Sequence, residues 1–263
     1  MLRNFFTLSA VLLSASAFAL SPGDIAFVTV NGDGSDGLAF IALEPIPPAT
    51  QINFNDNEWQ GSFFNTGESE ITWTNGASSL PIGTIVLINP VIGSMETNHG
   101  SVSGTGTRGF AILDETIYAY QGNVSSPSFL TLFSTDFGSA PGEVITGTGL
   151  TLGENALDLD NDCDVAQYTG PATFISKSDA LLALCDPANW STQSGSGDES
   201  SDGIAPDVPN SGFDFPVVQD LGAWNQSGTT AWMFGRISGL YREALCDFAP
   251  VAVMVCEDER EEF

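Results

Sequence analysis

Between residues 24 and 133 the chain alternates short apolar runs with clusters of turn-forming residues. Asp24–Val30, Leu38–Leu43, Thr50–Phe54, Glu70–Thr74, Thr84–Ile88, Gly109–Leu113 and Thr116–Tyr120 are rich in β-branched and aromatic residues. Each is either continuously apolar or alternates with period two, the pattern of a strand buried on two faces or on one. Asn31-Gly32-Asp33-Gly34, Pro45-Ile46-Pro47-Pro48 and Asn75-Gly76 separate them with turn chemistry. Short strands without intervening helical periodicity predict a mostly-β fold, a β-sandwich or barrel, over a βαβ architecture, and an antiparallel β-sandwich with one short helix is the expected class. One segment departs from this pattern. Ser178–Cys185 carries good helix formers, a serine at its start, Asp179 in its first turn and Pro187 just beyond, so it predicts one short helix. Residues 191–209 are rich in Ser, Gly and Asp and read as loop. Phe213–Val218 and Thr229–Phe234 are candidate closing strands, and Glu257–Phe263 forms a charged tail.

The amino terminus has a different logic. Arg3, the apolar stretch Phe5–Leu13 and the small-x-small triplet Ala17-Phe18-Ala19 have the order of a secretory signal peptide. This predicts cleavage after Ala19, a mature chain beginning at Leu20, and a secreted or extracellular location. No later segment is long enough to span a bilayer. The best, Phe248–Cys256, is interrupted by Pro250 and flanked by Asp247 and Glu257. The expected organisation is therefore a signal peptide at 1–19, one β-sandwich domain at 20–235 and a C-terminal extension with an acidic tail at 236–263.

Charge narrows the partners. The chain holds 33 acidic residues against 6 basic ones, a formal net charge of −27, and its one lysine is Lys177. Such a surface repels nucleic acid and anionic lipid headgroups, and it attracts cations. Four cysteines, Cys163, Cys185, Cys246 and Cys256, suit two disulfides in an oxidising compartment. Nearest-neighbour pairing, Cys163–Cys185 and Cys246–Cys256, closes the smallest loops and is the expected connectivity. Their spacing fits no zinc knuckle, and His99 is the chain's single histidine.

Three acidic runs invite a chemical reading. In Asp158-Leu159-Asp160-Asn161-Asp162-Cys163-Asp164, carboxylates at alternate positions resemble a calcium loop. This makes Asp158, Asp160, Asp162 and Asp164 the candidate metal ligands and calcium the candidate cofactor. An EF-hand would place Gly where Cys163 stands and Glu where Thr169 stands, so the run is not that motif. On a strand, the same alternation would bury Leu157 and Leu159 and leave the aspartates to solvent. Asn31–Gly37 is a second oxygen-rich run, at a position where Asn-Gly and Asp-Gly are ordinary hairpin chemistry. Asp56-Asn57-Glu58-Trp59 sets two carboxylates beside an aromatic ring, the minimum for a carboxylate-dependent hydrolase of glycans or esters. Gly104–Gly109 matches GxGxxG formally but precedes a strand-like run, so it does not mark a dinucleotide site. No GxSxG nucleophile motif occurs.

Several blocks are familiar in order. Ser21–Phe27 (SPGDIAF), Phe54–Trp59 (FNDNEW), Thr66–Trp73 (TGESEITW), Ile117–Gly122 (IYAYQG), Asp164–Tyr168 and Asp186–Trp190 (DPANW) resemble a family of secreted domains of bacterial cell-surface and extracellular proteins. That resemblance implies a β-sandwich distantly similar to lamin-tail domains; it carries over no catalytic residues and leaves function open. The cysteines, the acidic loops and the region beyond residue 216 depart from its pattern. Together these features predict a non-catalytic extracellular module that binds a ligand or associates with a surface and is stabilised by calcium. The alternatives are a secreted carboxylate hydrolase and a polyanionic matrix or mineral-associated protein.

Overall fold

The computed structural model describes residues 19–206, apart from positions 35, 107–108, 112–113, 139–142, 172 and 175, and three two-residue strands further on. Residues 1–18, Cys246, Cys256 and the acidic tail lie outside the described residues, as do most of the two expected closing strands.

The predicted sandwich is what forms. One sheet has the order β12-β10-β1-β2-β5, from Trp190–Gln193, Val165–Tyr168, Ile25–Asn31, Gly37–Ala42 and Ile85–Ile88. The other has the order β6-β4-β3-β7-β8-β9, from Ser101–Thr105, Glu70–Thr74, Gln51–Asn55, Thr116–Asn123, Ser126–Ser134 and Leu157–Asp158. Every pairing is antiparallel except β8 with β9. Strand β11 (Thr173–Phe174) pairs with β14 (Trp232–Met233), and β13 (Val218–Gln219) with β15 (Gly235–Arg236).

Alternation assigns each strand residue to a layer. Ile25, Phe27 and Val30 of β1, Leu38, Phe40 and Ala42 of β2, and Val86 and Ile88 of β5 face inward. They meet Ile52, Phe54, Ile71, Trp73, Ile117, Ala119 and Phe133 of the second sheet. A bulge at Val28 keeps both Phe27 and Val30 on the inner face. Phe54 lies at the centre, its ring 5.4 Å from Phe40 and 6.0 Å from Phe27. The opposite faces are covered as well. Ala26, Val28, Ala39, Ile41, Leu43, Ile85 and Leu87 pack under helix α1 (Lys177–Leu184) through Ala180 and Leu184. Across the sandwich, Tyr118, Tyr120, Phe129 and Leu132 are covered by Trp59, Phe64, Leu150 and Ala156 from two long connections. The continuous apolar runs in β1, β2 and β5 thus reflect a sheet buried on both faces.

Three local outcomes differ from the sequence reading. The helix cap is Ser176, whose side chain accepts from the Asp179 N–H, and the helix runs one residue earlier than expected. Residues 109–111 of the expected strand Gly109–Leu113 are loop, while the polar stretch Ser101–Thr105 supplies edge strand β6 instead. The outer edge of β5 is covered by the 96–98 segment: Ile88 forms a bridge with Thr97, and the Asn98 side chain accepts from the Leu87 N–H at 2.9 Å and donates to the Ile85 carbonyl at 3.0 Å.

The expected Cys163–Cys185 bond is not formed: both residues are free, buried thiols. The antiparallel β10–β12 ladder explains their separation. It pairs Val165 with Gln193 at one end and Tyr168 with Trp190 at the other. Cys163 enters at the first end, in the inter-sheet core, whereas Cys185 closes α1 before the second. A disulfide needs its Cα atoms within about 7 Å. Burial pushes each thiol up to about 12, further helped at Cys163 by Asp164 and Asp162, so neither is a ready nucleophile.

Two measurements test this packing. Phe54→Ala is expected to destabilise by about 3–5 kcal/mol in urea unfolding, whereas Phe63→Ala, at a side chain 57% exposed, should stay within about 0.5 kcal/mol. Iodoacetamide is expected to label Cys163 and Cys185 only in denaturant; rapid labelling of the native protein would contradict their burial.

Candidate functional site: the acid-rich end of the sandwich

Strand register determines which loops meet. Asn31 pairs with Val165, and Val165 with Gln193. The β1–β2 turn, the approach to β10 and the exit from β12 therefore emerge at one end of the five-stranded sheet. In the other sheet, Asn55 pairs with Tyr118, Glu70 with Thr105, Thr116 with Ser134, and Ser134 with Asp158. That places Asp56, Glu68, Asp114, Glu115, Asp136 and Asp158 together at its corresponding end. Hydrogen bonds join the two ends, from Asn161 N to Thr135 O at 2.7 Å and from Phe110 N to Asp36 Oδ2 at 2.6 Å. Gly32 allows the approach, since a Cβ there would stand 2.8 Å from the Ala111 carbonyl oxygen. The acids scattered along the sequence thus become one crown.

The four aspartates of the Asp158–Asp164 run take separate places in it. Leu157 and Leu159 are buried as strand alternation requires. Asp158 accepts from Phe137 N and Asp160 N, and Asp160 is exposed with a φ of 50°. Asp162 receives the Asp114 N–H at 3.0 Å and groups with Asp114 and Asp136 on the surface. Asp164 is buried, receives the Gly195 N–H at 2.9 Å, and joins a different group.

That group is Asp33, Asp164 and Glu199, with one carboxylate oxygen from each lying within 4.8 Å of the others. It draws one residue from each of the first two acidic runs and a third from the Ser/Gly/Asp-rich loop. Asp33 accepts from Gly34 N at 2.9 Å and from Glu199 N at 2.8 Å. Gly32 N donates to the Asp164 carbonyl, and Asp164 N to the Gln193 carbonyl. Asp164 and Glu199 are buried. A hydrogen bond shared with Asp33 raises the Glu199 carboxyl above its ordinary range, with desolvation adding to it. Oxygen-only donors converging from three loops suit a hard divalent cation. Sequence reasoning missed Glu199, because nothing local in Asp198-Glu199-Ser200 distinguishes it; only the β10–β12 pairing brings it to Asp33.

A second set of acids closes around residues 109–111. Asp36 receives the Phe110 N–H, Glu115 the Ala111 N–H and Asp56 the Ser69 N–H. Desolvation is the main cause in each of their shifts. It pushes Asp36 up to about 6 and Asp56 up to about 7, and raises Glu115 well above the usual range. Neighbouring carboxylates add to this: Asp33 at Asp36, Glu68 at Asp56, and Asp56 and Glu68 at Glu115. Among the side chains described, Lys177 and His99 are the basic ones, and both belong to the opposite end. Lys177 contacts Asp24 and lies 3.8 Å from Glu44.

Asp56 and Glu58 have different partners. Asp56 is buried against Ser69, whereas Glu58 accepts from Asn65 Nδ2 at 2.9 Å. Trp59 packs into the outer aromatic layer and donates to the Thr146 carbonyl at 2.9 Å. In comparisons with family models, curated proteins and solved structures, nothing matches the chain.

The raised carboxylates fix the sign of a pH effect. A folded-state value above the unfolded one gives stability that is complete below about pH 4 and is lost as pH climbs through the folded value. For Asp56 that window closes near pH 7. In EDTA, the melting temperature is expected to fall between pH 5 and pH 8, and Asp56→Asn should flatten the fall. A melting temperature that rises over this range would contradict the assignment.

Proposed function

We propose that this chain is a secreted, non-catalytic module that binds an extracellular ligand or associates with a surface, and that calcium stiffens its acid-rich end. The observation that carries the reading is the convergence of Asp33, Asp164 and Glu199 within 4.8 Å from three separate loops. Their negative charge is concentrated where the β1–β2 turn, the approach to β10 and the exit from β12 must be held together. A divalent cation would cross-link all three. Gln193, whose main-chain oxygen accepts the Asp164 N–H, also has a buried side-chain oxygen without a hydrogen-bond partner, a further oxygen donor in the same connection.

Export supports the choice of ion, because calcium is abundant outside cells and scarce within them. The signal-like leader, the acidic composition and the resemblance to secreted β-sandwich domains all agree with that location. Among the described residues, no helix is long and apolar enough to cross a membrane.

Thermal melts at pH 7.5 in EDTA and in 5 mM calcium test the reading. A ligand at about ten times its Kd stabilises by roughly 1.4 kcal/mol, which for this chain length is a rise of about 3–6 °C. Asp33→Asn and Asp164→Asn should each abolish the rise. An unchanged melting temperature at 5 mM calcium would remove the cation, and a calcium response that survives both substitutions would remove this site.

A further inference from the structure

The Ser21-Pro22-Gly23-Asp24 segment ahead of β1 belongs to neither the strand cores nor the acid crown, yet it is densely bonded. Leu20 is 8% exposed and its side chain is part of the inter-sheet core, whereas Ala19 beside it is exposed. The Leu20 nitrogen donates to Gln121 Oε1 at 2.7 Å, and Gln121 Nε2 donates to the Gln51 carbonyl at 3.2 Å, tying β7 to β3. Gly23 N donates to the Leu130 carbonyl on β8 at 2.7 Å. Asp24 holds the turn from both sides, accepting from Ser21 N at 2.6 Å and donating its own N–H to the Ser21 carbonyl at 3.0 Å. Gly23 sits at φ +79°, where a Cβ would meet Leu181 Cδ1 of α1 at 2.8 Å. Residues 20–24 are thus a strap that starts on the six-stranded sheet, passes beneath the helix and becomes the central strand of the other sheet.

The strap begins at the residue that would follow cleavage at Ala17-Phe18-Ala19. These are independent observations: one is a small-residue pattern read by a protease, the other a boundary between an exposed and a buried side chain. We propose that Leu20 is the processed amino terminus of the protein, and that it acts as a plug which locks the two sheets together once the leader is removed. A signal peptidase supplies the chemistry from outside this chain. It adds one water across the Ala19–Leu20 peptide bond, leaving a carboxylate on Ala19 and an α-ammonium on Leu20. The ammonium keeps its hydrogen bond to Gln121 Oε1 and makes it a charge-assisted one. The small-x-small pattern ends at Ala19, whereas the Leu side chain at position 20 fills the inter-sheet core.

The plug rests on the proposed export, and one experiment separates the two. The full chain is expressed in a secreting bacterial host, and the exported protein is taken for amino-terminal sequencing and intact mass. Leu20 is expected as the first residue. Protein that stays in the cell with residues 1–19 attached would overturn the export reading; exported protein starting at another residue would overturn the plug alone. In the exported protein, Leu20→Ala is expected to lower the melting temperature by roughly 5–10 °C, and Gln121→Ala by a smaller amount. Where Leu20→Ala does not accumulate, Leu20→Val serves in its place with an expected fall of about 2–4 °C. A melting temperature unchanged by substitution at Leu20 would overturn the plug.

Discussion

The structure depends on β1, β2 and β5 being apolar on both faces. A sandwich needs one buried face per sheet, and the outer faces are ordinarily left to water. Here the outward residues Ala26, Val28, Ala39, Ile41 and Leu43 require a cover, which α1 provides. The second sheet makes the same demand through Tyr118, Tyr120, Phe129 and Leu132, answered by the connections that carry Trp59 and Leu150. Three apolar layers in series follow from this, and so does the placement of polar groups. With both sheet faces closed, the carboxylates can gather only at the ends.

An excess of acid over base then has to be accommodated with few positive charges to spare. At the crown, backbone N–H groups do much of this work: Asp36, Asp56, Glu115, Asp158 and Asp164 each accept at least one. These bonds stabilise a carboxylate but do not cancel its charge, and several of the groups repel one another. A cation or a proton resolves that conflict, and the two have different consequences. Protons would be taken up in mild acid, whereas the calcium proposed above would act at neutral pH and would also set the spacing of the loops. At the other end Lys177 meets Asp24 and Glu44 directly, so the fold spends its one lysine on joining α1 to the start of β1.

Much of this was legible in the sequence. Strands whose side chains enter a core announced themselves by composition, and β1, β2, β3, β4, β5 and β7 fall within a residue or so of the apolar runs at their starts. Edge strand β6 did not, because Ser101–Thr105 has little apolar content and forms through pairing with β4. The opposite error occurred at Gly109–Leu113. Its apolar residues suggested a strand, yet in the described part their N–H groups are turned toward carboxylates. The site was half legible. Asp33 and Asp164 stood out in their own runs, but the run containing Asp164 looked like a self-contained loop and is instead divided between two clusters. What joins Asp33, Asp164 and Glu199 is strand pairing across more than a hundred residues, which no local spacing encodes. The Cys163–Cys185 pairing fails for the same reason: the two are near in sequence, but the β10–β12 ladder separates them.

The side chain of Asn98 has an implication for how copies of this protein meet. An uncovered outer strand offers its N–H and C=O groups to any other extended chain, the commonest route by which β proteins join edge to edge. On β5, a single carboxamide takes the Leu87 donor and the Ile85 acceptor at once, imitating one residue of a neighbouring strand. The five-stranded sheet is thereby terminated chemically at this border. A chain crowded beside its own copies on a surface would find no vacancy there for sheet extension.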